Sequence, residues 1–460
     1  MKKYFASYWI RSAFYSFLQR FSLTLFGLAN FVFLIRWLTP AQMGTWALFL
    51  TTTSIFEATK SGLLKNAHVK FASSSGDAHE KSEIASSSFV INTAISLIFV
   101  AAILGLADWL GKKLNTGPEF GSMLKWFIPG LLFMIFFSHL EAIAQSFLDF
   151  RGIFAGYLVR QASFFAIIIV QIFFHLNFSL KYLALYQSAS ILLGTLTLYY
   201  FNRKYLLHRF NASREWIKRI VGYGGYIFGS GVVANVYLNL DQLMAAKFIS
   251  ISSVAYYNAS SRINNLVDIP SYAAAEILFP KSAQASVSEG KDRVKYLYER
   301  MVGILLSFTI PLAIFIIIFP HFVMTLIAGA KYTRAAFILQ LYMITGLIRP
   351  MQNQAANILN SIGKAKLCFI INAVFLGINL LINYFCLSGF GFYGAAIGTL
   401  ISNIIGFTIW YLVMRKQIHL QLPNVMIYVF KFYQSCYTNI LKIIFPKKES
   451  IPPSDVNNVL

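Results

Sequence analysis

Apolar residues recur along this chain in blocks of about 20 separated by short polar joints, without the strict alternation of a half-buried strand. A helix of that length covers the roughly 30 Å hydrocarbon core of a bilayer and satisfies its own backbone hydrogen bonds. The pattern predicts twelve spans, at residues 12 to 36, 45 to 64, 84 to 106, 123 to 146, 155 to 176, 181 to 201, 221 to 247, 254 to 277, 300 to 327, 335 to 358, 366 to 388 and 392 to 414. The expected fold is an all-α polytopic membrane protein.

The spans repeat. A shift of 211 positions lays "IRWLTPAQMGTWAL", Ile35 to Leu48, on "AKFISISSVAYYNA", Ala246 to Ala259; it also lays Leu148 on Leu359, Gly152 on Gly363, Tyr182 on Tyr393 and Ala184 on Ala395. One shift serving three corresponding joints implies two six-helix halves, residues 1–202 and 221–415, joined by a basic linker, 203–220, and followed by a tail, 416–460. An even number of spans per half gives both halves the same orientation, so the expectation is two pseudo-symmetric lobes about an axis along the membrane normal, with a central cavity near the midplane.

Composition agrees with a membrane chain: 57% of the residues are hydrophobic and 12% charged, against about 25% charged in soluble domains. The net charge of +22 is spread over short loops instead of one soluble face, which speaks for membrane topology and against nucleic acid. With both termini cytoplasmic, most of the 39 basic residues fall on the inner side, and only Arg20, Arg262 and Arg349 are assigned to span interiors. "MKKYF" opens too long an apolar stretch for a cleaved signal, so span one is expected to remain. The linker "FNRKYLLHRFNASREWIKRI" reads either as an amphipathic strap on anionic headgroups or as a plain loop. The aromatic segment after span twelve, interrupted by Lys431 and Lys442, reads as an interfacial helix, and "ESIPPSDVNNVL" as a disordered tail.

Cys368, Cys386 and Cys436 have no metal spacing, and the seven histidines form no H-x-x-x-H pair or nucleophilic triad. The longest outer segment, "ADWLGKKLNTGPEFGS", offers little to catalyse with. No cofactor, metal or enzymatic activity is expected.

Candidate chemistry sits in spans one, two, seven and eight, which are too polar to be surrounded by lipid, because an ionisable group facing hydrocarbon costs several kcal/mol. In span two, Thr53, Glu57 and Lys60 share a face, and Glu57 is in reach of Lys60 one turn away. In span eight, Asn258, Arg262 and Asn265 form one stripe and Asn264 with Asp268 another. Under the repeat Asp268 is the mate of Glu57, and Asp241 that of Asn30. A rise of about 1.5 Å per residue sets Arg20 roughly 12 Å from the inner end of span one and Arg262 roughly 12 Å from the outer end of span eight. An arginine ladder suits an anionic headgroup, since guanidinium stays charged when buried and grips phosphate in bidentate fashion; an internal ion pair of Arg262 with Asp241, Asp268 or Glu57 is the competing reading. The substrate-binding candidates are therefore Arg20, Arg262, Asn258, Asn265 and Lys60, and the ion-coupling candidates Glu57, Asp241 and Asp268. Arg349, His139, Glu141 and Glu276 read as interhelical hydrogen bonders, and Gly222, Gly224, Gly225, Gly229 and Gly231 as packing positions.

"RWLTPAQMGTWAL", "NLDQLMAAKFISISSVAYYNASSRI", "LFPKSAQ", "AGAKYTRAAFILQ", "NSIGKAK" and "GFYGAAIGTLISNIIGF" occur in the order in which similar segments occur in the polysaccharide-unit flippases of Wzx type. Residues 1 to about 415 resemble that family, whose superfamily also holds the multidrug and toxin extruders and the lipid II flippases. The resemblance implies a cationic cavity between two lobes and passage of undecaprenyl-diphosphate-linked oligosaccharides, precursors of O-antigen, capsule or exopolysaccharide, from the inner to the outer leaflet of a bacterial inner membrane. Protons or sodium as coupling ions, membrane lipids, and a polysaccharide polymerase and chain-length proteins are the implied partners. Asp241 matches the acidic position of the family's "D-x-L-L" and Arg262 the basic position of its "A-x-R-L"; Lys60-Ser61-Gly62-Leu63 departs from its D-L-G-L, leaving Glu57 to supply that charge. The rivals are an ion-coupled multidrug exporter or a lipid II flippase on the same architecture, and a membrane polymerase or ligase.

Overall fold

Long apolar runs punctuated by proline and glycine become helices that stop at those punctuation marks. The computed structural model describes residues 2–60, 64–75, 77–174, 179–206 and 210–444. In chain order the helices are α1 (Lys2–Trp37), α2 (Pro40–Lys60), α3 (Asn66–Ser74), α4 (Ala78–Lys113), α5 (Pro118–Trp126), α6 (Ile128–Ser146), α7 (Phe150–Phe173), α8 (Leu180–Asn202), α9 (Arg214–Phe248), α10 (Ile251–Val267), α11 (Ile269–Ser288), α12 (Lys291–Ile318), α13 (Pro320–Ile327), α14 (Ala336–Ser361), α15 (Ala365–Phe390), α16 (Gly394–Ile418) and α17 (Leu422–Ile444). The chain is an all-α polytopic membrane protein. Six stretches among the described residues, from Phe14–Trp37 to Lys366–Ile418, are long and apolar enough to cross a membrane by length and composition. Helices α2, α9 and α10 carry the Thr, Asn, Glu, Asp and Arg residues singled out above, and these lower their hydropathy.

The repeated joint is reproduced to the residue. Helix α1 stops at Trp37 and α9 at Phe248; α2 starts at Pro40 and α10 at Ile251. Both shifts are 211. Span eight, expected as one helix, is two: it breaks at Asp268 because Pro270, in the first turn of α11, has no N–H to donate and clashes with the preceding turn. Pro320 splits span nine in the same way, separating α12 from α13.

Contacts divide the chain into two units. The first holds residues 1–263, 319–341 and 372–402, the second 264–318, 342–371 and 403–460. In the first, α7 lies between α1 and α8, and α9 packs on α2 and α4. Gly44 of α2 meets α10 so closely that a Cβ there would overlap the Ile251 carbonyl oxygen. The linker is pinned to this unit: Lys204 Nζ and Tyr205 OH reach Asp149 at 3.1 and 3.0 Å, the Asn211 and Ser213 amides donate to Ser86 and Ser87, and Trp216 packs with Ala72 and Ile84.

In the second unit a core of Tyr298, Val302, Leu306, Ile358, Trp410, Met414 and Val425 joins α12, α14, α16 and α17. Helix α17 runs parallel to α12: Asn424 donates to Glu299 (3.0 Å), Val425 and Tyr428 close on Gly303, and Tyr433 OH donates to the Ser307 carbonyl (2.6 Å) beside the Phe308–Phe432 ring pair. The segment read as an interfacial helix packs along α12, because its Val425, Val429 and Tyr433 side fits the groove beside Gly303, while Phe430, 72% exposed, points away. Residues 445–460, with the expected disordered tail, lie outside the described residues, as do the side chains of Glu276, Gly224, Gly225, Gly229 and Gly231.

Candidate functional site

Ionic groups need partners inside a helix bundle, and in the first unit they meet around one chamber. Helices α2, α3, α4, α6 and α7 enclose a cavity of about 270 Å³ whose walls include Glu57, Lys60, Lys65, His68, His139 and Glu141. Leu64 and Lys65 form a π-helical turn between α2 and α3, a local irregularity that frequently marks functional positions. The Lys65 ammonium donates to Glu141 Oε1 at 2.8 Å, and the same oxygen accepts from Tyr157 OH at 3.1 Å. Arg160 of α7 donates to Glu57 Oε1 at 3.2 Å and lies over the Phe137 ring. The His68 and His139 rings are edge to face, their centroids 5.8 Å apart.

The pair read from span two, Glu57 with Lys60, is not formed. Arg160 takes the Glu57 carboxylate, and Lys60, 4% exposed, makes no hydrogen bond through Nζ among the described residues. Arg160 escaped sequence reading because it lies about three turns into α7, near enough to the inner end of the span to pass for a topology signal; its only local mark is an arginine flanked by apolar residues in "YLVRQASFF".

The remaining candidates divide between the units. Asp241 Oδ1 accepts from Thr399 at 2.7 Å and from Asn383 at 3.0 Å, with Asn379 one turn from Asn383. Asn258 donates to Gln242 at 3.0 Å, and Gln242 in turn meets Thr51. Arg262 lies over the Phe31 ring at 5.8 Å, Arg20 is exposed on α1, and Asn265 is exposed on α10. In the second unit Asp268, 1% exposed, pairs with Arg349 at 2.9 Å, and the Asn264 amide, oriented to satisfy both partners, joins Arg349 to the Tyr342 carbonyl. Each acid proposed as a mate of Arg262 thus has another partner. The interhelical role read for Glu141 and Arg349 is what the contacts show.

The elbows contribute the other charged geometry. Arg36, at the end of α1, donates to the Leu326 carbonyl of α13, while Lys331 donates back to the Arg36 carbonyl at 3.4 Å. Lys247, at the end of α9, donates to the Lys113 carbonyl of α4 at 3.3 Å, while Asn115 donates back to the Lys247 carbonyl at 3.4 Å. A cation at a helix C-terminus satisfies orphan carbonyls and opposes the negative end of the macrodipole. Each half of the sequence therefore caps a helix of the other.

The family described as polysaccharide biosynthesis protein matches residues 33–337. The chain belongs to this family. Among curated members and relatives it is 20% identical to the lipopolysaccharide biosynthesis protein WzxC of Escherichia coli, over 71% of this chain and 66% of that one. It is 22% identical to the probable low-salt glycan biosynthesis flippase Agl15 of Haloferax volcanii, over 40% and 39%. The chain spans about half the length of the curated relatives it matches. The inward closed structure of the lipid II flippase MurJ superposes with a TM-score of 0.74 over 94% of this chain and 93% of the other, at 15% identity, a likeness of fold.

Proposed function

We propose that the protein is a flippase carrying polyprenyl-diphosphate-linked oligosaccharide units from the inner to the outer leaflet of a bacterial cytoplasmic membrane, with its N-terminus inside. The observation that carries this reading is the exchange of helix caps between the two halves, Arg36 on α13 and Lys247 on α4, in a chain of the polysaccharide biosynthesis family. With the N-terminus inside, both elbows and both capped helix ends lie on the outer face, so the caps hold that face shut. Opening it means breaking them together, the kind of two-state element that alternating access requires.

Only the sugar diphosphate head needs shelter; the polyprenyl tail stays in lipid. Arg20 and Arg262 supply charge for the diphosphate, and Asn258, Asn265 and Lys60 supply hydrogen bonds and charge for the head. Among the coupling candidates, Glu57 is held by Arg160 and Asp268 by Arg349, and Asp241 accepts from the hydroxyl of Thr399 and the amide of Asn383. A hydroxyl and an amide gathered at one carboxylate suit a site for a proton or a hard monovalent cation such as sodium, and Asp241 is assigned that role.

The test is reconstitution in liposomes with a fluorescent polyprenyl-diphosphate oligosaccharide, reading movement between leaflets. Transport is expected in the wild type and at least a tenfold loss in Arg262→Ala. Efflux of cationic dyes without lipid movement would replace this reading by the multidrug exporter.

A further inference from the structure

We propose that the chamber inside the first unit is a binding site for a carboxylate-bearing sugar, with Lys60 as its charge partner. This rests on the flippase reading and narrows it: the carried glycan contains an acidic sugar.

The argument starts from hydrogen bonding. Lys60 Nζ, His68 Nδ1, Ser88 Oγ and Asn92 Oδ1 are all buried, all belong to residues lining the chamber, and make no hydrogen bond among the described residues. Buried polar groups are normally paired, since leaving one unpaired costs about 1 to 3 kcal/mol and a charged one more. Four such atoms around one cavity mark the place where an external partner is received. The neighbouring charges are paired: Asn92 Nδ2 is spent on the Ile135 carbonyl and Ser138 Oγ, both at 3.0 Å, Lys65 on Glu141, and Glu57 on Arg160 behind the wall.

Charge selects the ligand. With the two histidines neutral, the chamber wall together with the arginine paired to it counts three cations, Lys60, Lys65 and Arg160, against two carboxylates, Glu57 and Glu141. The surplus is one positive charge, on Lys60. A carboxylate closes it. A phosphate monoester, with about −1.5 to −2 at neutral pH, overshoots it beside two fixed carboxylates, and a buried uncompensated charge is costly. The other free atoms ask for hydroxyls: Asn92 Oδ1 accepts, Ser88 Oγ donates or accepts, and His68 Nδ1 does either according to tautomer. A sugar ring bearing a carboxylate offers both kinds of group. The volume, about 270 Å³, falls just below the roughly 300 Å³ where pockets for drug-sized ligands begin, a scale for one ring.

The experiment uses the full chain in detergent with three probes, D-glucuronate, D-glucose and inorganic phosphate, binding being read by thermal shift and saturation-transfer NMR. Wild type is expected to bind glucuronate in preference to both others, and Lys60→Gln to weaken glucuronate binding at least tenfold. Lys60→Gln removes a buried unpaired charge and so keeps the fold; Ser88→Ala, expected to weaken glucuronate severalfold, tests the hydroxyl side independently. Phosphate or glucose binding as tightly as glucuronate, no glucuronate binding, or unchanged binding in Lys60→Gln would overturn the site. In liposomes, Lys60→Gln is expected to lower transport of a uronate-bearing lipid at least tenfold more than that of a neutral one, and an equal fall overturns the selectivity. A wild type that binds glucuronate but moves neither lipid refutes the flippase reading, not the site.

Discussion

Arg36 and Lys247, 211 positions apart, do the same work: each ends the first helix of its half and donates to the last carbonyls of a helix from the opposite half, Leu326 for Arg36 and Lys113 for Lys247. Each also receives a hydrogen bond on its own carbonyl from a residue just beyond the helix it caps, Lys331 and Asn115. The repeat in the sequence is thus a repeat of contacts.

On the flippase reading, removing both caps is expected to shift the outer face toward opening. Each is an exposed charge-assisted contact worth about 1 kcal/mol, so Arg36→Ala with Lys247→Ala is expected to change the closed-to-open ratio roughly 30-fold. The readout is thiol labelling from outside at Thr51→Cys, buried where α2 faces Asn239 and Gln242 of α9. With the three native cysteines replaced in both proteins, a labelling rate equal to that of Thr51→Cys with both caps intact would sink the cap argument.

At Gly44 the limiting factor is space. A methyl group there meets the Ile251 backbone, which cannot rotate away, and forcing groups into a packed contact costs about 1 to 3 kcal/mol. Gly44→Ala should lower the melting temperature measurably and Gly44→Val further. The mate under the repeat is Ala255, itself buried, where alanine is native; a Gly44→Ala protein as stable as wild type would show that the two elbows do not pack this tightly.

The chamber network predicts an order of severity. Glu141→Ala strands the Lys65 ammonium and the Tyr157 hydroxyl together, a broken buried pair worth about 3 kcal/mol at the lower end of its range, since Lys65 keeps some exposure. Tyr157→Phe loses one hydrogen bond, about 1 kcal/mol. Chemical or thermal unfolding of the purified variants checks the ranking, and Tyr157→Phe proving the more damaging would refute the network as drawn.

Asp241→Asn keeps the shape of the Thr399 and Asn383 contacts but removes the charge. Substrate movement driven by an imposed proton or sodium gradient is expected to lose its dependence on that gradient, while exchange at equilibrium persists. A variant with wild-type gradient dependence would move the coupling role elsewhere.

Helix α17 follows α12 from Glu299 to Phe308 with parallel chain direction. Since α12 runs from inside to outside when the N-terminus is inside, α17 is expected to cross as well, and a reporter fused at the C-terminus should read outside. A cytoplasmic signal would return this helix to the interface, where Lys431 and Lys442 first suggested it.

Some of this was legible along the chain because it is decided locally. A 20-residue apolar run spans a bilayer whatever surrounds it, Pro40 and the Thr39 joint end one helix and start the next within a few residues, and a duplicated elbow repeats the same side chains. The polarity of α2, α9 and α10 likewise announced that charged groups are kept from lipid. Which charges meet was not legible. Glu57 and Asp268 coincide under the repeat, yet their arginines come from helices that do not correspond: Arg349 falls on Ser138, and Arg160 on Ile371. Along one helix, Glu57 and Lys60 looked like partners.

The sequence alone thus announced an all-α membrane chain, its duplicated elbow and the kinds of charge it buries, all set by hydropathy and by spacing within one helix. Tertiary structure decided that Arg160 takes Glu57, that Lys60 is left facing the chamber, and that α17 lies along α12. Those choices depend on which helices stand side by side at the same depth, a relation between residues as far apart as 103 positions for Glu57 and Arg160, which no local pattern encodes.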